Sequence, residues 1–555
     1  KNKMLFQRYE STIEPHIRFM HIQDIESCGW IALNKKKIKE LKNYSWCDYT
    51  YSVNWKDIQA STIVNKMAPL KIMGYDIECI SCDHNFPQAN RSTDKIIQIG
   101  ITMFRYGSMH CYEKHILILG DCADIDDVNI ECYKTEKSLL RGFAKKIKEI
   151  RPDIKCGYNN CGFDDKYILN RIQQIDSDLA ALNNTDVDLL EKKLYDEFFN
   201  ICGKLKNKNL IENENLMKSL SFFKEQNLSS SALGDNKLYF IQIPGVLTID
   251  MMKVIQREHS LNSYKLDDVA ANFITEKITK IESTKTSNDN ILLVKISTKS
   301  TKALEDDSYI QVMVHDSYSL TPLISGVKYN VIKIVTSQTK DVMDEIYINM
   351  TTDQFKELFN AFNDKLLKLI WTFAKDDMHH TLINKYFKEG DPVKIKKIAK
   401  YCIKDCKLVN LLLAKLEIIT NSIGMATVCH VPLSYLFLRG QGVKIFSLVA
   451  KKCREENYVI PVLAKDNKDI FGDEESTYEG ATVIKPKPGV YLSPITVLDY
   501  NALYPKSMCE KNLSHECYVS NTTYDNLPGY IYHDVIIVKK NKKGKVVKNF
   551  DGNPI

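Results

Sequence analysis

The sequence predicts an α/β fold on three observations. Apolar runs of strand length follow one another from residue 70, an amphipathic helical stripe comes next, and strands and helices then alternate.

Residues 70–81, LKIMGYDIECIS, read as the first strand. After a loop containing Pro and Asn come KIIQIGITMF (95–104) and HILILG (115–120), so three successive strands suggest a sheet entered by hairpins. Leu139, Leu140, Phe143, Ile147 and Ile150 then place one apolar helical stripe on that sheet. DIKCGYN (153–159) returns as a short strand, and GVLTIDMMKVIQ (245–256) reads as a strand running into a helix. Asp391 and Pro392 supply an acidic N-cap and a proline at the first helical position, which opens a long helix through KIKKIAKYCIKDCKLVNLLLAKLEII. Two stretches interrupt the pattern. Residues 183–237, rich in Asn, Lys, Glu and Ser, read as a mostly helical or partly mobile surface insertion; residues 290–335 alternate apolar and polar positions between turns, as a small β module does. Glycines and prolines after Gly424 place a boundary between 420 and 480.

With 555 residues, 44% hydrophobic and 26% charged, the chain has globular composition, which excludes disordered and rod-like classes. A net charge of +6 permits a polyanionic partner without requiring one. The 16 cysteines are scattered through a long chain with no signal-like start, so a reducing, intracellular setting is expected, and Cys79 and Cys82 read as incidental neighbours. No apolar run approaches the ~20 residues of a membrane span, so no membrane partner is expected. The start at Lys1 and the end at Ile555 suggest a fragment of something longer.

Asp76 and Glu78 stand two apart in a strand and therefore share a face among apolar neighbours. Two readings fit: ligation of a hard divalent cation, Mg²⁺ or Mn²⁺, or solvated acids on an edge strand. Asn159, Phe163 and Asp164 lie where strand 153–159 gives way to a helix; Asp164 either faces the same crevice as Asp76 or caps that helix. Tyr401 and Asp405 are one turn apart on the long helix, either as a metal ligand with a water-positioning hydroxyl or as a surface pair.

In this order, the three groups resemble the exonuclease motifs of the proofreading domain of family B DNA polymerases, a DEDD-type nuclease on a ribonuclease-H-like fold. The resemblance continues in PGVLTIDMMKVIQREHSLNSYKLDDVAANFI (244–274) and in SYLFLRGQGVKIFS (434–447), which is similar to the opening of the palm. YEGATVIKPKPGVY (478–491) is similar to the Tyr-x-Gly-Ala segment between the modules, and VLDYNALYPKSM (497–508), followed by NLS (512–514), resembles polymerase motif A. Ala502 and Lys506 depart from the usual motif A residues.

The resemblance implies a replicative polymerase with 3′ to 5′ proofreading. Two Mg²⁺ or Mn²⁺ ions would sit on Asp76, Glu78, Asp164 and Asp405, Tyr401 would orient the nucleophile, and Asn159 and Phe163 would hold the frayed 3′ end. Asp499 and Tyr500 would hold the metals of nucleotidyl transfer, Leu503 and Tyr504 the incoming nucleotide, and Tyr478 and Gly480 the DNA. The implied partners are primer-template DNA, deoxynucleoside triphosphates in the full-length enzyme and a sliding clamp. No fingers helix or Tyr-Gly-Asp-Thr-Asp turn follows motif A, and FGDEES (471–476) precedes it, so the chain is expected to excise a primer terminus without extending it.

The implied domains are an N-terminal α+β domain (1–70), the exonuclease (71–420, with insertions at about 183–237 and 280–360), a linker or return to the N-terminal domain (421–477) and the start of a palm (478–555). Residues 9–31 resemble delta-type and large-DNA-virus enzymes, and the β-rich insertion resembles those of giant nucleocytoplasmic viruses, so a host nucleus or cytoplasmic viral factory is the implied location. KKNKKGKVVK (539–548) is either a phosphate-tracking hairpin or a solvated turn. A free-standing DEDD exonuclease and a catalytically inactive scaffold are the competing readings.

Overall fold

The computed structural model describes residues 8–460 and 484–532, apart from 184–186, 188–192, 203–222, 231–233, 287–289, 316–319, 340–341, 376–377, 515–516 and positions 43, 65, 84, 338, 379, 518, 520 and 521. It divides into two compact units, Lys1–Leu463 and Ala464–Ile555.

Helix α1 (Pro15–Gln23) opens the first unit with proline at its first turn, where a missing N–H costs nothing. Two short antiparallel pairs follow, β1 (Ile31–Leu33) with β4 (Ile58–Ala60) and β2 (Lys39–Glu40) with β3 (Tyr51–Ser52). This region is tied to distant sequence: the Ser27 hydroxyl donates to the Val431 carbonyl at 2.5 Å, and His21 lies 3.0 Å from the Ser447 hydroxyl.

The central sheet is built from β5 (Lys71–Cys79), β6 (Ile96–Arg105), β7 (Cys111–Leu119), β8 (Asn129–Tyr133) and β9 (Ile154–Gly157). After the hairpin β10 (Phe223–Ser230) and β11 (Gly234–Ile241), strand β12 (Leu247–Asp250) completes it in the order β12-β9-β5-β6-β7-β8. Strand β6 is antiparallel to both β5 and β7, whereas β8 runs parallel to β7, β9 parallel to β5 and β12 parallel to β9. Strand β5 is therefore interior. The edge strand β8, NIECY, has no apolar alternation to announce it.

Alternation along β5 sends Tyr75 to one face, where its ring lies 6.0 Å from that of Phe143 on α2 (Glu136–Ile150). The stripe Leu139, Leu140, Phe143, Ile147 and Ile150 is buried there, each side chain contributing roughly 1.5–3 kcal/mol. Helices α3 (Asp164–Leu182) and α4 (Leu194–Cys202) extend this layer, and α5 (Met251–Glu258) and α6 (Leu266–Phe273) follow β12. In the described part of 183–237, α4 stands beside most of the β10–β11 hairpin, whose eight-residue register is set by backbone pairing that composition does not reveal.

The β module is larger than its sequence pattern, spanning β13 (Thr275–Lys285), β14 (Ile291–Thr298), β15 (Tyr309–His315), β16 (Leu320–Pro322), β17 (Tyr329–Val335), β18 (Asp344–Thr351) and β19 (Lys368–Ala374), with α7 (Thr352–Asn363) before the last strand. The order is β16-β15-β17-β18-β14-β13-β19, and β15 also pairs with β19, so the sheet closes on itself, with the short β16 paired to β15 alone among the described strands. Trp371, Val294, Ile296, Ile310 and Val331 fill its interior, and Glu305 ties it to the nuclease core through Lys407 at 2.5 Å. Strands β13, β18 and β19 were hidden because the barrel boundaries are set by long-range pairing.

Helix α8 (His380–Glu389) leads to α9 (Pro392–Lys415), which begins as expected with Asp391 accepting from Val393 N–H at 2.9 Å. The long helix ends earlier than its pattern suggests. At Leu416 and Glu417, the latter with φ 51°, the chain bends by 51° into α10 (Ile418–Cys429). Helices α11 (Leu433–Leu438) and α12 (Gly442–Glu455) complete this unit. No single helix among the described residues is long and apolar enough to cross a membrane. In the second unit, Leu503–Lys511 form α13.

Candidate metal centre and active site

The face of β5 opposite Tyr75 carries Gly74, Asp76 and Glu78, and α9 lies across it. Two glycines allow that approach. A Cβ at Gly74 would stand 2.6 Å from the Cys406 carbonyl oxygen, and one at Gly100, the cross-strand partner of Asp76, 2.8 Å from the thiols of both Cys402 and Cys406. The helix axis is thereby close enough for Asp405 to reach the acids of the strand.

Asp164 arrives from the β9–α3 junction. Asp250, at the end of β12, accepts backbone N–H groups of Asn159 at 3.0 Å and Cys161 at 3.1 Å, pinning a loop in which Asn159 has φ 61°. Asp164 does not cap α3: Phe163 is the N-cap, and Asp164 is the first helical residue, buried to 3% exposure. Its neighbour Asp165 turns into the core, where Lys155 donates to both its oxygens at 2.8 and 2.9 Å and Tyr75 donates at 2.6 Å.

Asp76, Glu78, Asp164 and Asp405 therefore converge from β5, α3 and α9. Burial raises the Asp76 carboxyl well above its usual range, and the charges of Asp164, Asp405 and Glu78 add to it. Glu78 rises to about 8 through burial and then Asp405, and Asp164 to about 7 through burial and then Asp165. Asp405 rises only to about 6, because Lys375 opposes the effect of burial. Asp164 Oδ1 and Asp405 Oδ1 are buried without a hydrogen-bond partner. Mutually repelling acids with oxygens left free suit hard divalent cations. The edge-strand alternative for Asp76 and Glu78 is excluded by the interior position of β5.

Lys375, the residue after β19, is the main addition the structure makes. Its ammonium donates to Tyr401 Oη at 2.7 Å and Asp405 Oδ2 at 2.8 Å, lies 3.5 Å from Asp267 Oδ1, and sits 4.0 Å from the centroid of the Tyr401 ring. Nothing in the local sequence announces it, since its partners lie on two other elements. Phe86 is the second addition: 72% exposed, its ring lies 5.3 Å from that of Phe163, edge to face. Cys402 is the third, its thiol sharing a cluster with Asp76 and Glu78 in which the ligand atoms lie within 4.8 Å of one another.

The second unit presents a different picture. Asp499 and Tyr500 lie in irregular chain, Tyr500 being 77% exposed, while Leu503 and Tyr504 open α13 and are exposed. Among the described residues no other acid joins Asp499 in a metal-holding group. Tyr478, Gly480, the FGDEES loop and the basic stretch 539–548 lie outside the described residues.

Comparison with known proteins agrees with this geometry. Residues 6–269 match the sequence model of the DNA polymerase family B exonuclease domain, and residues 431–549 that of DNA polymerase family B. The chain is 57% identical over 615 aligned residues to a DNA polymerase of Acanthamoeba polyphaga mimivirus, covering 99% of this chain and 35% of that protein. It is 38% identical to a DNA polymerase of Pyramimonas orientalis virus, covering 80% and 31%, and 27% identical to a DNA polymerase delta catalytic subunit of Arabidopsis thaliana, covering 94% and 35%. The chain thus spans about a third of the length of these relatives. Exonuclease and polymerase domains of this kind use divalent metal ions. With four acids converging on one buried face and both matches naming the same lineage, the chain belongs to the family B DNA polymerases and carries their exonuclease domain.

Proposed function

We propose that the first unit removes nucleotides from the 3′ end of a DNA primer, as the proofreading part of a replicative polymerase of a large DNA virus. The observation that carries this is the convergence of Asp76, Glu78, Asp164 and Asp405, with two buried oxygens free of partners. Two Mg²⁺ or Mn²⁺ ions held by these acids would supply an activated water and stabilise the leaving 3′ oxygen.

The chain's own residues do the rest. Burial and the neighbouring Asp405 charge hold the Tyr401 phenol protonated, and because Lys375 donates to its oxygen, the O–H is left to donate to a water or phosphate oxygen. Lys375 stays cationic: burial works against its charge, but the neighbouring carboxylates, Asp405 foremost and then Asp267, favour it. It thus offers positive charge beside a site that must admit a phosphodiester. Phe86 and Phe163 present an aromatic surface on which an unpaired terminal base can stack, a contact that a base held in a duplex cannot make. Asn159, on its pinned loop, would contact the same terminus.

In the full-length enzyme, Asp499, Tyr500, Leu503 and Tyr504 would serve nucleotidyl transfer from deoxynucleoside triphosphates, with Tyr478 and Gly480 against DNA and a sliding clamp as partner. The match of residues 431–549 supports a polymerase over a stand-alone nuclease, and the retained acids argue against an inactive scaffold. A host nucleus or a cytoplasmic viral factory would be the setting. The test uses the purified chain with Mg²⁺ on mismatched and matched 3′ ends: shortening faster on the mismatch, abolished by Asp76→Ala with Glu78→Ala, is expected. Cleavage that survives the double change would overturn the assignment.

A further inference from the structure

We infer, on the reading of Asp76 and Glu78 as metal-facing acids, that these two carboxylates and Cys402 form a binding site for thiophilic divalent ions such as Zn²⁺ and Cd²⁺, with the Cys402 sulfur as a ligand that Mg²⁺ does not use. The ligand atoms of Asp76, Glu78 and Cys402 lie within 4.8 Å of one another, and no other such trio occurs among the described residues. An ion with sulfur at ~2.3 Å and oxygen at ~2.1 Å in tetrahedral geometry separates its ligands by roughly 3.5 Å, so a small contraction of the trio suffices.

Three features place the sulfur there. Cys402 is fully buried on α9 one position after Tyr401, its thiol lies 3.6 Å from the Asp76 carbonyl oxygen, and the missing side chain of Gly100 leaves room for it over the strand. Hard Mg²⁺ selects oxygen and disregards sulfur, whereas Zn²⁺ and Cd²⁺ gain from a thiolate. On coordination the S–H proton passes to solvent as the sulfur–metal bond forms, and no electron changes hands. Asp164 and Asp405 stand outside the trio. A soft ion would therefore take the strand acids from Mg²⁺ while leaving those two acids unused, blocking excision.

Co²⁺ is the probe, because its bond to sulfur produces a charge-transfer absorption in the near ultraviolet that oxygen ligands do not give. With the metal-free chain, difference spectra of wild type against Cys402→Ser and Cys402→Ala should show this band, Asp76→Asn should lose it, and Cd²⁺ should displace it. Cd²⁺ affinity should fall at least about tenfold in both cysteine variants. A flat difference spectrum, or a band that survives Asp76→Asn, overturns the inference. Mn²⁺ binding followed by paramagnetic resonance separates this result from the function proposed above. Mn²⁺ bound with a flat Co²⁺ difference spectrum overturns the thiol ligand alone; a Co²⁺ band without Mn²⁺ binding supports the thiol ligand and overturns the two-ion reading.

Discussion

Lys375 Nζ stands 2.8 Å from Asp405 Oδ2, joining the last residue delivered by the inserted barrel to an acid of the nuclease helix. The same ammonium holds the Tyr401 hydroxyl, so one cation fixes two candidate catalytic groups that lie one turn apart on α9.

Replacing Lys375 with Met should therefore slow excision under saturating Mg²⁺ by on the order of 10²-fold, the usual effect of removing one charged donor from a reacting site. Single-turnover cleavage of a mismatched primer measures it. A rate within twofold of wild type would show that Lys375 only balances charge in the metal-free protein.

Without divalent ions the clustered acids make stability fall as pH rises. Glu78, Asp164 and Asp405 have folded values of about 8, 7 and 6, against roughly 4 in an unfolded chain, so the folded state binds more protons across this window. Their favourable contribution is present below about pH 4 and is lost progressively up to about pH 8. The metal-free melting temperature should thus be lower at pH 8.5 than at pH 6.5, and Asp76→Asn with Glu78→Gln should flatten the difference. Melting that is equal at both pH values in the wild type would contradict the raised values. Toward lower pH an opposing effect enters, because burial holds His21 near 4 and the folded state resists its protonation.

The Lys155–Asp165 pair is enclosed, with side chains 1% and 0% exposed. Lys155→Met should destabilise the unit by about 3–5 kcal/mol by leaving a buried carboxylate unpaired, and Lys155→Met with Asp165→Leu should restore most of that loss. Denaturant unfolding of the two variants decides it. If the double variant is no more stable than the single one, the hydrogen bonds from Tyr75 and the Ile241 N–H to Asp165 matter more than the ion pair.

Gly74→Ala should cost about 1–3 kcal/mol and weaken metal binding, because its new Cβ would meet the Cys406 carbonyl at 2.6 Å and push α9 from the sheet. Calorimetric Mn²⁺ titration beside a melting curve separates the two effects. Unchanged metal affinity would mean that Asp405 is not positioned by this contact.

By itself the sequence determined the elements whose signal is local: the strand carrying Asp76 and Glu78, the stripe from Leu139 to Ile150, and the Asp391–Pro392 helix start. It also determined the order of motifs that marks the family, because those side chains must be acids wherever the chain later folds. Tertiary structure decided what depends on residues far apart. The interior place of β5, which turns two acids into a buried repelling pair, follows from its pairing with β6 and β9. Closure of the inserted barrel depends on β15 meeting β19, more than fifty residues later in the chain. Lys375, Phe86 and Cys402 gained their significance only from neighbours on other elements. Periodicity reports the environment of a residue along one element, whereas a site is an intersection of several, and that intersection exists only once loop closure has brought the elements together.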